Sequence, residues 1–257
     1  MKMEDQQTAR VRVENLSVSY GDFDVLQRVD FSVRAGEVMV VMGGSGCGKS
    51  TLMKAMIGLL EPVSGSVWYG KTNFTEADVA DRGVMVRRIG VLYQGGALWT
   101  AMTVRENVSL PLAIFTDLKP KEIYDLADFK LSLVGMADFG DFLPAELSGG
   151  MRKRAGLARA MALDPEILFL DEPSAGLDPV NSRRLDDLIL ELKDSLGATF
   201  VVVTHELPSI FAIADDSVFL DAETKGVLAS GSPGHLLAEG EEKVRRFLRR
   251  EGKEASL

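Results

Sequence analysis

The feature that most constrains the fold is a glycine-rich stretch that directly follows a wholly apolar segment. Residues 38–42 (VMVVM) are apolar at every position, which is typical of a strand covered on both faces. Residues 43–50 match the pattern G-x-x-x-x-G-K-S, and residues 52–60 are predicted to form a buried helix that stops before Pro62. This order predicts a phosphate-binding loop in an α/β core. The alternative is a glycine-rich turn with an incidental lysine.

The predicted loop can bind phosphate because glycines let successive backbone N–H groups point at one anion, next to a helix N-terminus. Lys49 supplies a point charge for the β- and γ-phosphates, Ser50 a hydroxyl ligand for Mg²⁺, and Thr51 a contact near the α-phosphate. The candidate nucleotide-binding residues of the loop are Gly43, Gly44, Ser45, Gly46, Cys47, Gly48, Lys49, Ser50 and Thr51.

A second apolar segment is followed directly by two acidic residues. Residues 167–170 (ILFL) predict a strand, and Asp171 and Glu172 follow at its carboxyl end, where open α/β sheets bind their ligands. Asp171 is expected to face the Mg²⁺ shell, and Glu172, which precedes Pro173, to polarise a water for attack on the γ-phosphate. An acidic turn at a strand end is the alternative when this segment is considered without the phosphate loop.

The remaining patterns predict a mainly parallel sheet flanked by helices, with an antiparallel β edge and an inserted helical subdomain at about 95–165. Helices are expected near 104–113, 121–134 and 151–163, and the basic residues 152–154 are expected to form a solvated helix face. Further strands are predicted at 11–16, 29–33, 66–69, 89–93, 200–203 and 218–220. One domain is expected over 11–248, followed by a charged tail at 249–257.

Composition narrows the function classes. The formal net charge of −9 disfavours a nucleic-acid partner, because phosphate backbones are repelled. The single cysteine, Cys47, cannot form an intrachain disulfide, which suits a reducing compartment, and we interpret it as a space-filling residue. No apolar run approaches the ~20 residues that cross a bilayer, and the N-terminus lacks a secretory apolar region, so a cytoplasmic protein is expected.

Residues 147–151 (LSGGM), placed shortly before Asp171, resemble the signature of the nucleotide-binding subunits of ABC transporters. Other landmarks of that family follow in order along residues 11–248: an aromatic before the loop at Tyr20, a glutamine at Gln94, residues 175–178 (AGLD) and a histidine at His205. The resemblance implies a P-loop NTPase fold and an ATPase that uses ATP and Mg²⁺.

The resemblance also implies roles for these residues. Tyr20 stacks on adenine, Gln94 touches Mg²⁺ and the attacking water, and His205 reaches the γ-phosphate. Ser148, Gly149 and Gly150 contact the nucleotide bound by a second copy of the chain, in a head-to-tail homodimer. Each of these residues also has a purely structural alternative: a half-buried aromatic, a strand cap, a structural histidine and a helix N-cap, respectively.

The family implies an integral membrane permease as a partner, and hence a peripheral position on the cytoplasmic face of the inner membrane. Trp99, Leu98 and Met102 are candidate anchors for that permease or, equally, residues of the subdomain core. Residues 93–98 and 147–160 resemble ATPases of phospholipid transport systems that work with Mce-type proteins and can include a small accessory subunit. Amino-acid or other small-solute transport is the alternative. A soluble ATPase acting on nucleic acid or ribosomes is disfavoured by the charge and by the lack of a second nucleotide domain.

Overall fold

The computed structural model describes residues 9–250, and these residues divide into two compact units. The first unit comprises the described residues up to Asp78 and from Val201 onward, and the second comprises Val79–Phe200. Most of the charged tail expected at 249–257 lies outside the described residues, as do residues 1–8.

The first unit begins with an antiparallel sheet. Its strands are β1 (Ala9–Tyr20), β2 (Phe23–Arg34), β4 (Ser64–Tyr69) and β5 (Thr72–Asn73), in the spatial order β2-β1-β4-β5. Alternate residues of β1 and β2 are buried, which is the pattern that predicted half-buried strands. The structure therefore confirms the antiparallel β edge and extends its strands beyond the predicted limits.

A second set of strands in the first unit carries the phosphate loop. It consists of β3 (Val38–Gly43), β9 (Asp216–Asp221), β10 (Gly226–Ser230) and the end of β8 (Thr199–Val203), in the order β10-β9-β3-β8. Strand β3 is buried along its whole length and runs parallel to β9. The helices of this unit are α1 (Lys49–Met56), α7 (Leu207–Ile213), α8 (Pro233–Glu239) and α9 (Glu242–Leu248).

Helix α1 is shorter than the sequence predicts. It ends at Met56 rather than near Leu60, because Gly58 adopts a left-handed φ of 78° that stops the helix. A Cβ at Gly58 would lie 2.8 Å from the Phe74 ring, so only glycine fits this turn. Leu59 is consequently 62% exposed, and the prediction that it belongs to a buried helix is wrong.

The second unit holds two parallel strands and the predicted helical region. Strand β6 (Ile89–Leu92) pairs in parallel with β7 (Ile167–Asp171). The helices are α2 (Val79–Val86), α3 (Val104–Phe115), α4 (Pro120–Leu133), α5 (Gly149–Ala160) and α6 (Pro179–Leu196), with short 3-10 turns at Ala137–Phe139 and Pro144–Glu146. Helices α3, α4 and α5 confirm the three helices predicted between 104 and 163.

Strand β8 connects the two units along the chain. At its start the Thr199 N–H donates to the Glu166 carbonyl in the second unit, and just after its end the Thr204 N–H donates to the Val41 carbonyl in the first. Sequence patterns did not predict β5, β10 or α2, whose residues are mostly exposed or partly exposed. Within residues 9–250, no helix combines the length and the apolar character that crossing a bilayer requires.

Candidate functional site

In the first unit, the loop between β3 and α1 has a backbone shape that requires glycine. Gly43, Gly46 and Gly48 have φ values of 151°, 75° and 99°. A Cβ at Gly43 would lie 2.4 Å from the Leu220 carbonyl oxygen, and one at Gly48 would lie 2.8 Å from a Leu26 methyl carbon. The loop is therefore held against neighbouring strands in a conformation that other residues strain.

Lys49 begins helix α1 and turns its side chain back into the loop. It is only 8% exposed, and its Nζ donates to the carbonyl oxygens of Gly43 at 2.9 Å and Gly44 at 3.0 Å. The helix has no side-chain cap, because its N-cap is Gly48, and Ser50 lies exposed in the first turn. A buried ammonium beside a helix N-terminus provides the positive charge that a phosphate-binding loop needs.

Cys47 fills space inside the loop. Its side chain is buried, and its Sγ lies 3.9 Å from the Lys49 Nζ. Burial raises the pKa of the Cys47 thiol, although the nearby Lys49 charge partly opposes this rise. The thiol is thus not activated as a nucleophile, in agreement with the space-filling interpretation.

Two further predicted residues of the first unit lie on elements that adjoin the loop. Tyr20 ends β1 and is 49% exposed, on the hairpin whose Val25 and Leu26 side chains contact Gly48. His205 follows β8, which neighbours β3, so it lies at the sheet edge where the loop begins. Its side chain is 53% exposed, with Nε2 3.8 Å from a Glu206 carboxylate oxygen.

In the second unit, the parallel strands bring the remaining catalytic candidates to one edge. Leu92 of β6 is in register with Leu170 of β7. Asp171 directly follows Leu170, and Gln94 follows Leu92 after one intervening residue, Tyr93. Gln94 is exposed, and Asp171 and Glu172 are half-buried. Burial raises the pKa of the intervening Tyr93 phenol, Arg159 lowers it and the negative charge of Asp171 raises it further.

The signature segment forms the start of helix α5. Ser148 is the N-cap, and its hydroxyl accepts a hydrogen bond from the Met151 N–H at 3.2 Å. Ser148 and Gly149 are exposed, and Gly150 is half-buried. The capping alternative therefore describes Ser148 correctly, while the two glycines leave the helix N-terminus open to an anion.

The expectation that residues 152–154 form a solvated helix face is wrong for Lys153. Lys153 is 6% exposed, and its Nζ donates to the carbonyl oxygens of Glu172 and Ala175. A run of three basic residues looks like a surface in the sequence. Its middle member nevertheless points inward, because α5 packs beside the segment that follows β7.

Sequence reasoning also missed the residues that attach the Gln94 loop to α5. Arg159 donates to the carbonyl oxygens of Ala97 at 2.6 Å and Gly96 at 3.1 Å. A Cβ at Gly156 would lie 2.9 Å from the Gly96 carbonyl oxygen. The sequence signal was a small residue three positions before an arginine on one helix face, which is too common to be specific.

The oxygen donors assigned to Mg²⁺ fit a hard cation. Ser50 offers a hydroxyl, Gln94 an amide oxygen and Asp171 a carboxylate, and Mg²⁺ prefers such ligands. Among residues 9–250, no group of three or more histidine, cysteine, aspartate or glutamate side chains could enclose a metal.

Comparison with known proteins identifies the family to which the chain is similar. A family model described as ABC transporter matches residues 26–175. The probable ribonucleotide transport ATP-binding protein mkl of Mycobacterium tuberculosis is 39% identical over 93% of this chain, which spans 66% of that relative's length. The intermembrane phospholipid transport system ATP-binding protein MlaF of Escherichia coli is 35% identical over 96% of this chain and 91% of MlaF.

Among solved structures, the dimeric post-hydrolysis state of the ATP-binding cassette MJ0796, bound to ADP and Pi, has a TM-score of 0.79 and 28% identity. The alignment covers 86% of this chain and 98% of MJ0796. This likeness confirms the P-loop NTPase fold predicted from the sequence. The extent of the family match and the identity to MlaF over most of both chains lead to one conclusion: the chain belongs to the ABC transporter family, as an ATP-binding domain.

Proposed function

We propose that this protein is the ATP-hydrolysing subunit of an ABC transporter that moves phospholipid or another hydrophobic substrate. The observation that carries the ATPase proposal is the Gly43–Thr51 loop, in which glycines at positive φ and the buried Lys49 ammonium form a phosphate-binding cradle. The 35% identity to MlaF, spread over 91% of that phospholipid transport protein, supports the lipid cargo.

The proposed chemistry is attack of water on the γ-phosphorus, which breaks its bond to the bridging oxygen of ADP and releases phosphate. Glu172 orients the water and accepts its proton, His205 contacts the γ-phosphate, and Gln94 contacts the water. Lys49 stabilises the β- and γ-phosphate charge, Thr51 lies on the α-phosphate side, and Tyr20 stacks on adenine. Ser50, Gln94 and Asp171 would hold Mg²⁺, which would further neutralise the phosphate charge.

We propose a homodimer in which Ser148, Gly149 and Gly150 complete the site of the second copy. The exposed Ser148 and Gly149 at the α5 N-terminus support this role, and so does the dimeric form of the related MJ0796 cassette. An integral membrane permease would supply the transport path and place the protein on the cytoplasmic face of the inner membrane. An Mce-type substrate-binding protein and a small accessory subunit complete the proposed assembly.

The second unit offers a surface for the permease. Trp99 is 62% exposed, although its backbone is fixed by the buried Asn107 side chain, which accepts from the Trp99 N–H at 2.7 Å and donates to its carbonyl at 3.0 Å. A large exposed aromatic on a fixed backbone is a suitable anchor for a protein partner. This exposure favours the anchor role over a role in the subdomain core.

Small-solute transport is the second candidate. The mycobacterial relatives, which are 39% identical, carry a name that refers to ribonucleotide transport. The residues assigned to ATP are common to both candidates and do not distinguish the cargo.

The first test is ATP hydrolysis by the full chain and by Glu172→Gln. We expect the substitution to lower turnover by about 10²–10⁴-fold, the usual contribution of a positioned general base, while ATP still binds. Equal turnover in the two proteins would contradict the role of Glu172.

The cargo is tested by isolating the Glu172→Gln protein in mild detergent with ATP and Mg²⁺ and identifying its partners and lipids by mass spectrometry. A permease with an Mce-type protein and phospholipid supports lipid transport, and a different permease without lipid contradicts it.

A further inference from the structure

Lys153 is a buried lysine on helix α5, and neither helix formation nor solubility explains its burial. It lies in the second turn of α5, is 6% exposed, and its neighbours Arg152 and Arg154 are more exposed. Its Nζ donates to the Ala175 carbonyl oxygen at 2.5 Å and to the Glu172 carbonyl oxygen at 3.2 Å. A buried ammonium is unfavourable unless it is well hydrogen-bonded, so these two bonds strongly fix the relative position of α5 and the segment after β7.

The two acceptors are the ends of one tight turn. The Ala175 N–H donates to the Glu172 carbonyl oxygen at 3.2 Å, so this oxygen receives both the turn hydrogen bond and the Lys153 ammonium. Ser174, inside the turn, is 3% exposed. Lys153 therefore closes the turn from outside, by joining its first and last carbonyl groups.

Glu172 has an unfavourable backbone conformation within this turn. Its φ is 48°, in the left-handed region that residues with a Cβ rarely occupy. The following residue is Pro173, which further limits the conformations open to Glu172. A change to a negative φ would redirect the Glu172 side chain, so an interaction that holds its carbonyl also determines where its carboxylate points.

We propose that Lys153 is a positioning residue for ATP hydrolysis: it holds the backbone of Glu172 in the left-handed conformation that directs the carboxylate. This inference rests on the proposed function of Glu172 as the residue that orients water. Lys153 acts through the main chain and does not touch the nucleotide. It is therefore expected to affect turnover and not the affinity for ATP.

The test compares two substitutions of equal length in the full chain. Glutamine and methionine side chains extend equally far from the backbone, but only the glutamine amide can donate to the two carbonyls. We expect Lys153→Met to lower kcat about tenfold, which corresponds to ~1.4 kcal/mol, with the KM for ATP within about twofold of the original. Lys153→Gln is expected to recover a large part of the lost turnover.

Lys130→Met is the matched control for the loss of a buried lysine. Lys130 is 2% exposed in the same unit, and it pairs with the Asp164 carboxylate rather than with the turn after β7. We expect it to lower the melting temperature without a comparable loss of kcat. Equal losses of kcat in Lys130→Met and Lys153→Met would assign Lys153 a merely structural role and overturn the proposal.

The remaining outcomes separate the two proposals. If the unmodified chain does not hydrolyse ATP, or Glu172→Gln is fully active, the proposed function of Glu172 fails. If Glu172→Gln is inactive while Lys153→Met keeps full turnover, only the positioning proposal fails. If Lys153→Met does not fold, the test uses Lys153→Gln alone. Full turnover at an unchanged KM, with the turn amides protected from hydrogen exchange as in the unmodified chain, then supports the proposal. A kcat in Lys153→Gln as low as in Glu172→Gln contradicts it.

Discussion

Two lysines, one in each unit, make the same kind of contact but differ in how visible they are in the sequence. Lys49 and Lys153 are both nearly buried, and each donates to two main-chain carbonyls of a loop that follows a strand. The acceptors of Lys49 lie five and six residues before it, whereas those of Lys153 lie 19 and 22 residues after it. A short pattern thus reveals the first contact, and only the folded chain reveals the second.

Among the substitutions that test this comparison of the two lysines, Lys49→Met has the largest expected effect. Removing this ammonium takes away the positive charge aimed at the β- and γ-phosphates, so we expect turnover to fall by at least about 10²-fold, as when one stabilising donor is lost. Steady-state ATP hydrolysis and equilibrium ATP binding measure the effect. The loss should exceed that of Lys153→Met, since Lys153 acts only through the backbone.

Lys54→Met is the control for Lys49→Met. Lys54 lies exposed in the last turn of the same helix, at the end remote from the phosphate loop, so turnover should be unchanged. Similar turnover in Lys49→Met and the unmodified chain would show that Lys49 does not stabilise the phosphates. The functional comparison between the two lysines would then fail.

The difference between contacts that are local in the sequence and contacts that form only on folding also explains how much of the fold could be predicted. Strands β3 and β7 and the helices at 104–163 were predicted because their apolar patterns are local and strong. The end of α1 was not, because it depends on Gly58 meeting the Phe74 ring, a contact between residues separated in the chain. Strand β10 was missed because its residues are mostly half-buried and lack a clear alternation.

Within the candidate site, the predicted residues were those that belong to compact motifs. The loop at Gly43–Thr51, and the Asp171–Glu172 pair after β7, could be recognised because strand, turn and charge follow one another directly. Lys153 and Arg159 could not, since a basic residue on a helix is usually solvated. Their roles follow from the carbonyl groups that α5 meets after folding.

Gly156→Ala tests how tightly α5 packs on the Gln94 loop, close to the position from which Lys153 contacts the turn after β7. A Cβ at Gly156 would lie 2.8 Å from a Leu92 methyl carbon and 2.9 Å from the Gly96 carbonyl oxygen. We expect Gly156→Ala to lower the free energy of unfolding by about 1–3 kcal/mol, the usual cost of overpacking. Urea unfolding measures this change.

Gly83→Ala is the matched control, because Gly83 also lies inside a helix of the second unit and its Cβ would meet nothing within 4 Å. It should raise the free energy of unfolding by about 0.5–1 kcal/mol, the difference in helix propensity. If both substitutions stabilise the protein, α5 can move away from the loop, and Lys153 would not fix the turn as closely as its contacts indicate.

The smallest effect concerns a third lysine, Lys243, whose acceptors can titrate. Its Nζ lies 2.6 Å from an Asp221 carboxylate oxygen and 3.0 Å from Glu223. Burial favours a higher pKa for Asp221, but hydrogen bonds from Lys243 and the Thr224 N–H outweigh burial and lower the pKa below 3.8. Hydrogen bonds to Asp221 and Glu223 raise the pKa of Lys243 above 10.5.

These shifts give the contribution of the pair a defined pH window. The Asp221 pKa is lowered on folding, so its contribution is present above 3.8 and is lost as the pH falls through the lower folded value. The Lys243 pKa is raised, so its contribution is present below 10.5 and is lost as the pH rises through the higher folded value. We therefore expect Asp221→Asn to destabilise the protein at pH 7, and this difference to shrink as the pH falls below 3.8 toward the lower folded pKa of Asp221.

Urea unfolding from pH 8 down to below pH 3.8 measures the effect, with Glu223→Gln as the control. The Glu223 side chain is 83% exposed, against 5% for Asp221, so solvent screening should make its replacement nearly neutral at every pH. Carbonyl oxygens do not titrate in this range, so Lys153→Met should cost the same stability below pH 3.8 as at pH 8. An effect of Lys153→Met that follows the pH dependence of Asp221→Asn would show that a carboxylate, and not the turn carbonyls, is the important partner of Lys153.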